Sequence, residues 1–395
     1  MPANNFDNFD NEREQLYPAL LVLPRLRIQN ANAISSPLTY GFPAITQFTG
    51  FMTALNRALG VDSGIDLQRV GVICHEFEAQ VSSGVFTKSF HLTRNPLTEN
   101  GSTAAIVEEG RASLVITLVF EVKLAESKSS NTAVPLLAAK IWEVVQGMRI
   151  AGGSVIPALH GNVRQQSAKL MVVQEDSEKR IEQFRELSRQ WLPGTALVSR
   201  DDLLQSRLTQ LQVGQPGATL LDAWLDLSRL NYTATRIVAP VVADQAADVN
   251  EVNLAAQAGE ADGADEADDD DDLDELDDAD ADGDADADAD DADKPVKVDA
   301  AEWKPDVRIG WTVPIPVGFA SVCAQHPQGV VANARSREVP FQFVECVYSI
   351  GQWVSPHRLS DIDELMWEAK HCPETGLYRC VNNFKPSNFF APSTD

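Results

Sequence analysis

The feature that most constrains this chain is a run with nothing to build a core from. Residues 241–293 contain 24 Asp or Glu and no Lys or Arg, largely as Asp/Ala repetition such as "DADADAD". Its like charges repel and it has almost nothing to bury, so it is expected to stay disordered. Carrying such a loop is inexpensive, since doubling its length costs only about 0.6 kcal/mol. Any core must therefore come from the residues on either side, and the chain reads as one domain with an acidic insertion at about 241–300. The block is expected to behave as a solvated loop. The rival reading is an arm that mimics DNA or captures a basic partner.

Setting the block aside changes what the composition means. The 395 residues carry a net charge of −26, yet outside the block 34 acids face 32 bases. A nearly neutral remainder is free to present a basic face, so the low pI does not exclude a nucleic-acid partner. Five cysteines, at 74, 323, 346, 372 and 380, show no framework spacing and suit reduced thiols. The N-terminal "MPANNFDNFDNEREQ" reads as a tail without the basic and apolar regions of a signal peptide. No apolar run approaches the roughly 18 residues of a membrane span. The expectation is a cytoplasmic protein with no membrane contact.

Periodicity orders the first half. "ALLVLPRLRIQ" reads as a strand and "QFTGFMTALNRALG" as an amphipathic helix closed by Gly60. "LQRVGVICHEFEAQV" and "RASLVITLVFEVKL" read as two strands, "VPLLAAKIWEVVQGM" as a helix beginning near Pro135, and "GGSVIPAL" or "AKLMVV" as one more strand. The order β-α-β-β-α-β predicts an α+β, ferredoxin-like body over about 16–240, a fold whose open sheet face often binds RNA. Residues 176–230 read as helical, with N-caps at Ser177, Ser199 and Thr219. Beyond the insertion, 301–392 reads as the rest of the same domain, with "DIDELMWEAK" as a short helix.

Two segments stand out from this pattern. About 30 residues, 81–110, replace a tight hairpin between the middle strands, and loops of that length are usually functional or disordered. Apolar anchors at Leu92, Leu97 and Ile106 predict an ordered projection. After the first strand, "PRLRIQNANAISSPLTYGFP" turns to amides and hydroxyls at Gln29, Asn30, Asn32, Ser35 and Ser36, followed by Tyr40 and Phe42. Such groups can hold a planar polar ligand such as an unpaired base, but taken alone the segment reads rather as a turn that ties up its own backbone.

The sequence offers little catalysis. It lacks G-x-x-x-x-G-K-[ST], G-x-G-x-x-G and H-E-x-x-H. The glycine pair in "AGGS", ending at Ser154, reads as a cap or close packing. His357, His371, Cys346, Cys372 and Cys380 have no C-x-x-C spacing to suggest zinc. His75 and His91 could act as base and acid in a metal-independent ribonuclease; the simpler reading packs His75 in its strand and leaves His91 to a ligand. Glu76, Glu78, Glu108 and Glu109 read as a solvated face.

Longer stretches are more specific. "LLVLPRLRIQNANAISSPLTYGFPAITQFTGF", "CHEFEAQV", "HLTRNPLTENGSTAAIVEEGRASL", "RIAGGSVIP", "LPGTALVSRDDLL", "GWTVPIPVGF", "ECVYSIGQWVSPHRL" and "GLYRC" resemble the Csy-type second subunit of the type I-F CRISPR surveillance complex. The resemblance runs from about Leu20 to Arg379, apart from the acidic block, where relatives have a much shorter connection. It implies a non-catalytic RNA-binding member of the repeat-associated (RAMP) superfamily, with a modified ferredoxin-like body and 81–110 as its thumb. It implies a protein without cofactor, whose partners are the 5′ handle of the CRISPR RNA, the large subunit and the backbone subunit, with target DNA met through the complex. Under it Gln29, Asn30, Asn32, Ser35, Ser36, Tyr40 and Phe42 become ligand-facing. His91, Arg94, Asn95 and Thr98 reach RNA from the thumb, and Arg111, Arg149, Ser154, Arg335 and Arg337 are further contacts. Arg111 has the alternative of pairing with Glu108 or Glu109, and Arg149 of capping its helix. The competing functions are a RAMP endonuclease that processes the repeat, and an acidic protein-interaction module.

Overall fold

The computed structural model describes residues 16–84, 87–94, 97–157, 167–174, 176–229, 231–236, 301–305 and 310–386. The chain divides into two compact units, Met1–Asn231 with Val307–Asp395, and Tyr232–Asp306. The expected tail 1–15 and the whole acidic insertion 241–300 lie outside the described residues.

The first half of the larger unit forms β1 (Leu16–Asn32), α1 (Ile45–Leu59), β2 (Ile65–Ala79), β3 (Arg111–Ala125), α2 (Ala133–Gln146), β4 (Arg149–Ile150), β5 (Gly153–Ile156) and β6 (Lys169–Val172). Both candidates for the last strand form: β5 and β6 each pair with β1, at different places along it. β1 also pairs with β3, and β3 with β2, all antiparallel. The spatial order is therefore fourth, first, third, second. The first helix ends as expected at Gly60, whose φ of 74° suits a residue without Cβ. The second begins at Ala133, two residues before Pro135.

The sheet is buried on both faces, which explains why "LVITLVFEV" is so continuously apolar. On one face Leu21, Leu23, Val72, Leu118 and Phe120 pack with Phe48, Phe51 and Leu55 of α1 and Ile141 of α2. On the other, Leu20, Val22, Ile73 and Val119 meet Phe184 and Leu187 of the helix Ser177–Gln190 and Trp191 just after it. The sheet face expected to be open to RNA is thus covered over this part of its length.

Residues 176–230 are not all helical. They form α3 (Ser177–Gln190), β7 (Thr195–Ser199), α4 (Asp201–Gly214) and α5 (Leu220–Ser228). "TALVS" is too short and too buried for a helix, and its backbone is needed by the strands on either side. Ser199 consequently lies in a strand, and α4 starts after Arg200 without a side-chain cap. α3 is capped by Asp176, one residue before Ser177, and Thr219 caps α5 in a reciprocal box with Asp222.

The C-terminal part supplies β8 (Trp311–Ser321), β9 (Val344–Val354), β10 (Trp367–Cys372) and β11 (Leu377–Asn382). "DIDELMWEAK" is a 3₁₀ turn at Ile362–Glu364, capped by Asp361, that runs into β10. Its Leu365, Met366 and Trp367 are all buried, and pairing of β10 with both β11 and β2 outweighs the helix-forming residues around them. The eleven-stranded sheet reads β4-β5-β1-β3-β2-β7-β9-β8-β11-β10, with β6 beside β1 and β10 returning to β2. β2, β7, β9, β8, β11 and β10 thereby close a ring. Trp367, fully buried, donates its indole N–H to the Leu197 carbonyl of β7 at 2.8 Å. In the smaller unit the described residues are one antiparallel hairpin, pairing Tyr232 with Pro305 through Arg236 with Ala301.

The 81–110 projection carries two hairpins, Val81–Ser83 with Lys88–Phe90 and Leu92–Arg94 with Ile106–Glu108. Its expected anchors are not buried: Leu92 and Leu97 are 67% exposed and Ile106 is 56% exposed. Backbone pairing at the stems, rather than an apolar core, gives these hairpins their form.

Candidate nucleic-acid interface

Where β1 ends, its backbone bulges. Register shifts fall between Leu23 and Leu26 and between Ile28 and Ala31, and Arg25 and Asn30 adopt positive φ of 45° and 60°. β-branched or bulky residues resist that conformation, and asparagine tolerates it. The bulge turns Asn30 toward β2 and β3. Gln80 donates to the Asn30 side-chain oxygen at 2.9 Å and to Ser113 at 3.3 Å, while Arg111 lies opposite Asn32 in the β1–β3 register.

Beyond the bulge the polar side chains mostly serve their own backbone. Asn32 accepts from the Ile34 N–H at 3.1 Å and donates to the Ile34 carbonyl at 2.8 Å. Ser35 accepts from the Ala44 N–H at 2.9 Å, just ahead of α1. Ser36 accepts from the Leu38 N–H and shares a hydrogen bond with Thr39 at 2.7 Å. These three shape a turn. Phe42 is a packing residue, stacked on Phe48 and edge-on to Trp353. Tyr40 is different: it is 53% exposed, and its ring lies 5.3 Å from Phe90 of the projection. The turn also meets the projection through the Ala33 N–H, which donates to the Gly110 carbonyl at 2.9 Å.

A second polar row crosses the sheet edge. Gln29 of β1 faces Ser154 of β5, and Ser154 faces Arg149 of β4; all three are exposed. Arg149 belongs to a strand rather than capping α2. Glycine is required at 153, since a Cβ there would stand 2.7 Å from the Ala31 nitrogen and the Gln29 carbonyl oxygen. A shallow groove of about 360 Å³ opens beside this hairpin, with Asn32, Gln47, Phe51, Arg149 and Gly152 in its wall. The Gln47 side-chain oxygen has no hydrogen-bond partner among the described residues.

Gln29, Asn30, Asn32, Tyr40, Arg111, Arg149 and Ser154 are thus neighbours through the end of β1. Arg111 holds the Glu109 carboxylate in two hydrogen bonds, at 2.8 and 3.0 Å, and keeps that carboxyl below its usual range. Arg94 is exposed on the second hairpin of the projection, with His91 exposed just before it. Thr98 closes a local turn with Asn100 and Ser102. Asn95 lies outside the described residues. Arg335 and Arg337 are exposed on the β8–β9 connection, and no described contact joins them to the cluster. The sequence reading missed Gln80 and Phe90, because their roles depend on three-dimensional pairing. It also passed over Arg27, exposed two residues before Gln29; the alternation in "RLRIQ" carried that signal.

His75 stands apart from this cluster. The Arg25 N–H donates to the Thr117 hydroxyl at 3.0 Å, leaving that hydroxyl to donate to His75 Nε2 at 2.8 Å. His75 Nδ1–H donates in turn to the Pro193 carbonyl at 2.7 Å. Both ring nitrogens are occupied by a neutral imidazole, and burial lowers its pKa from 6.5. The unfolded chain therefore takes up this proton first as pH falls. His75 contributes stability that is present above pH 6.5 and lost as pH drops through the lower folded-state value. Melting curves from pH 8 to 5 are expected to fall more steeply for the natural chain than for His75→Gln; parallel curves would contradict this.

The comparisons with known proteins point one way. The family model for the CRISPR-associated protein Csy2 matches residues 21–243 and 256–380. A CRISPR-associated protein Csy2 from Pseudomonas aeruginosa (strain UCBPP-PA14) is 40% identical over 363 residues, covering 91% of this chain and 94% of the relative. With the match running through both halves of the sheet, the chain belongs to the Csy2 family of CRISPR-associated proteins.

Proposed function

We propose that this chain is the non-catalytic subunit that holds the 5′ handle of the CRISPR RNA at the tail of a type I-F surveillance complex. Its body is a modified ferredoxin-like domain of the RAMP kind with 81–110 as thumb, a reading supported by the fourth-first-third-second strand order and by two helices on one face. The observation that carries the function is the meeting of the β1 bulge, the base of the projection and the β4–β5 hairpin. It gathers exposed amides, an exposed tyrosine and arginines along one edge. Single-stranded RNA is read by base-edge hydrogen bonds and stacking, with cations for the phosphates, and these residue types suffice for that. The complex works in the cytoplasm without a cofactor. There the subunit contacts the large subunit and the first backbone subunit, and meets target DNA through the assembly.

The endonuclease alternative is weakened by His75, whose two nitrogens are both committed and which no described contact joins to His91. Purified protein is expected to leave repeat RNA uncut, with or without His75→Ala.

The test is co-expression with the genomic neighbours and a CRISPR array, purification through a tag on this chain, and sequencing of the bound RNA. Uniform CRISPR RNAs with a shared 5′ end, together with a larger protein, are expected. Random fragments or no RNA would overturn the proposal. Deleting 245–293 is expected to leave assembly intact, because the strands on either side of the block already pair with each other. A deletion that abolished assembly would give the acidic block a role in it.

A further inference from the structure

We infer that Cys323 and His326 form a thiol-modification site, at which hydroperoxides oxidise Cys323 to the sulfenic acid. The inference is independent of RNA binding and rests on geometry. Cys323 is exposed, and its Sγ lies 3.8 Å from Nε2 of His326. Both residues are held in place by the strand-like start of the β8–β9 connection. The Val322 N–H donates to the Phe343 carbonyl at 3.2 Å, and the Gln342 side chain donates to the Cys323 carbonyl at 2.6 Å. His326 and Phe341 exchange two backbone hydrogen bonds, at 2.8 and 2.9 Å. The imidazole ring stands edge-on to Phe343, with ring centres 5.5 Å apart, and Phe343 is braced by Phe341. The imidazole is therefore aimed at the sulfur before any reagent arrives.

The other four thiols lack this arrangement. Burial pushes Cys74 up to about 12 and Cys380 up to about 11, so neither forms a thiolate readily. Burial also raises Cys346, with the Glu345 carboxylate adding to the effect. Cys372 is only partly exposed, and its thiol donates to the Glu374 carboxylate at 3.2 Å rather than facing an imidazole. Only Cys323 pairs exposure with a base that can take its proton.

The chemistry balances without a metal. The thiol proton passes to His326 Nε2, and the sulfur attacks one peroxide oxygen. An S–O bond forms as the O–O bond breaks, and the leaving oxygen recovers the proton from the imidazolium as water or an alcohol. Sulfur is oxidised by one electron pair, and the peroxide is reduced by the same pair.

The test treats the folded full-length chain with limiting iodoacetamide, and separately with hydrogen peroxide and dimedone, and locates the adducts by peptide mass spectrometry. Cys323 is expected to alkylate about tenfold faster than any other cysteine and to carry the dimedone adduct. In urea the five rates should converge. His326→Gln, which keeps the backbone bridge, is expected to slow Cys323 several-fold at an unchanged melting temperature. Faster reaction at Cys346 or Cys372, or an unchanged rate in His326→Gln, would overturn the inference.

Discussion

Trp367→Ala is expected to cost about 3–5 kcal/mol, the usual range for removing a fully buried aromatic side chain. Trp367 has no exposed surface, belongs to the core cluster that includes Leu197, Ile315 and Val317, and sits where β10 touches both β2 and β11. Its loss opens a cavity and also leaves the Leu197 carbonyl without its donor. Against a typical total stability of about 5–15 kcal/mol, this is a large fraction. A drop in melting temperature on the order of 5–10 °C should follow. Trp367→Phe separates the two contributions: it keeps most of the packing and orphans only the carbonyl, at about 1–3 kcal/mol. A shift below about 2 °C for the alanine variant would mean that the ring closes without this residue.

Gly153→Ala is expected to act on RNA capture more than on the body of the fold. The added methyl would stand 2.7 Å from two backbone atoms of β1, and neither can move aside as a flexible side chain could. β5 would have to lift from β1, carrying Ser154 and Arg149 out of line with Gln29. The β1–β3–β2 pairing stays as it is, and of the buried faces only the edge made by Ile150, Ala151 and Val155 is disturbed. RNA recovered per purified complex should fall about tenfold, equivalent to 1.4 kcal/mol, with a small change in melting temperature. Gly217→Ala is the control, since a methyl there meets nothing within 4 Å. Equal RNA capture by the two variants would remove the β4–β5 hairpin from the interface.

Much of the fold was legible because its first half repeats simple periods. The long apolar strands and the amphipathic α1 and α2 announced themselves through spacing, and Gly60 marked a helix end. What stayed hidden depends on partners far away in the chain. Thr195–Ser199 is five residues long and lies between two helices, so only its pairing with β2 and β9 makes it a strand. Trp367–Cys372 is preceded by good helix formers, and its fate is decided by β11 and Val70. The candidate site followed the same division. Residue types in "QNANAISSPLTYGF" suit a ligand, but taken alone read rather as a turn. The fold divides them, giving Asn32, Ser35 and Ser36 to the turn and leaving Tyr40 and Gln29 exposed. No local pattern could have announced that Gln80 would reach Asn30 across fifty residues of chain.

The strand ring also bears on how this protein could be divided. β2 and β7 come from before the acidic block, and β9, β8, β11 and β10 from after it, yet all six share one hydrogen-bonded circuit. The covalent link through the block therefore does little more than keep two complementary pieces at high effective concentration. Supplied as separate polypeptides, residues 1–231 and 307–395 hold between them all the strands of the circuit and are expected to co-purify as a folded pair. The sheet of this chain is, in effect, a two-part assembly encoded in one reading frame.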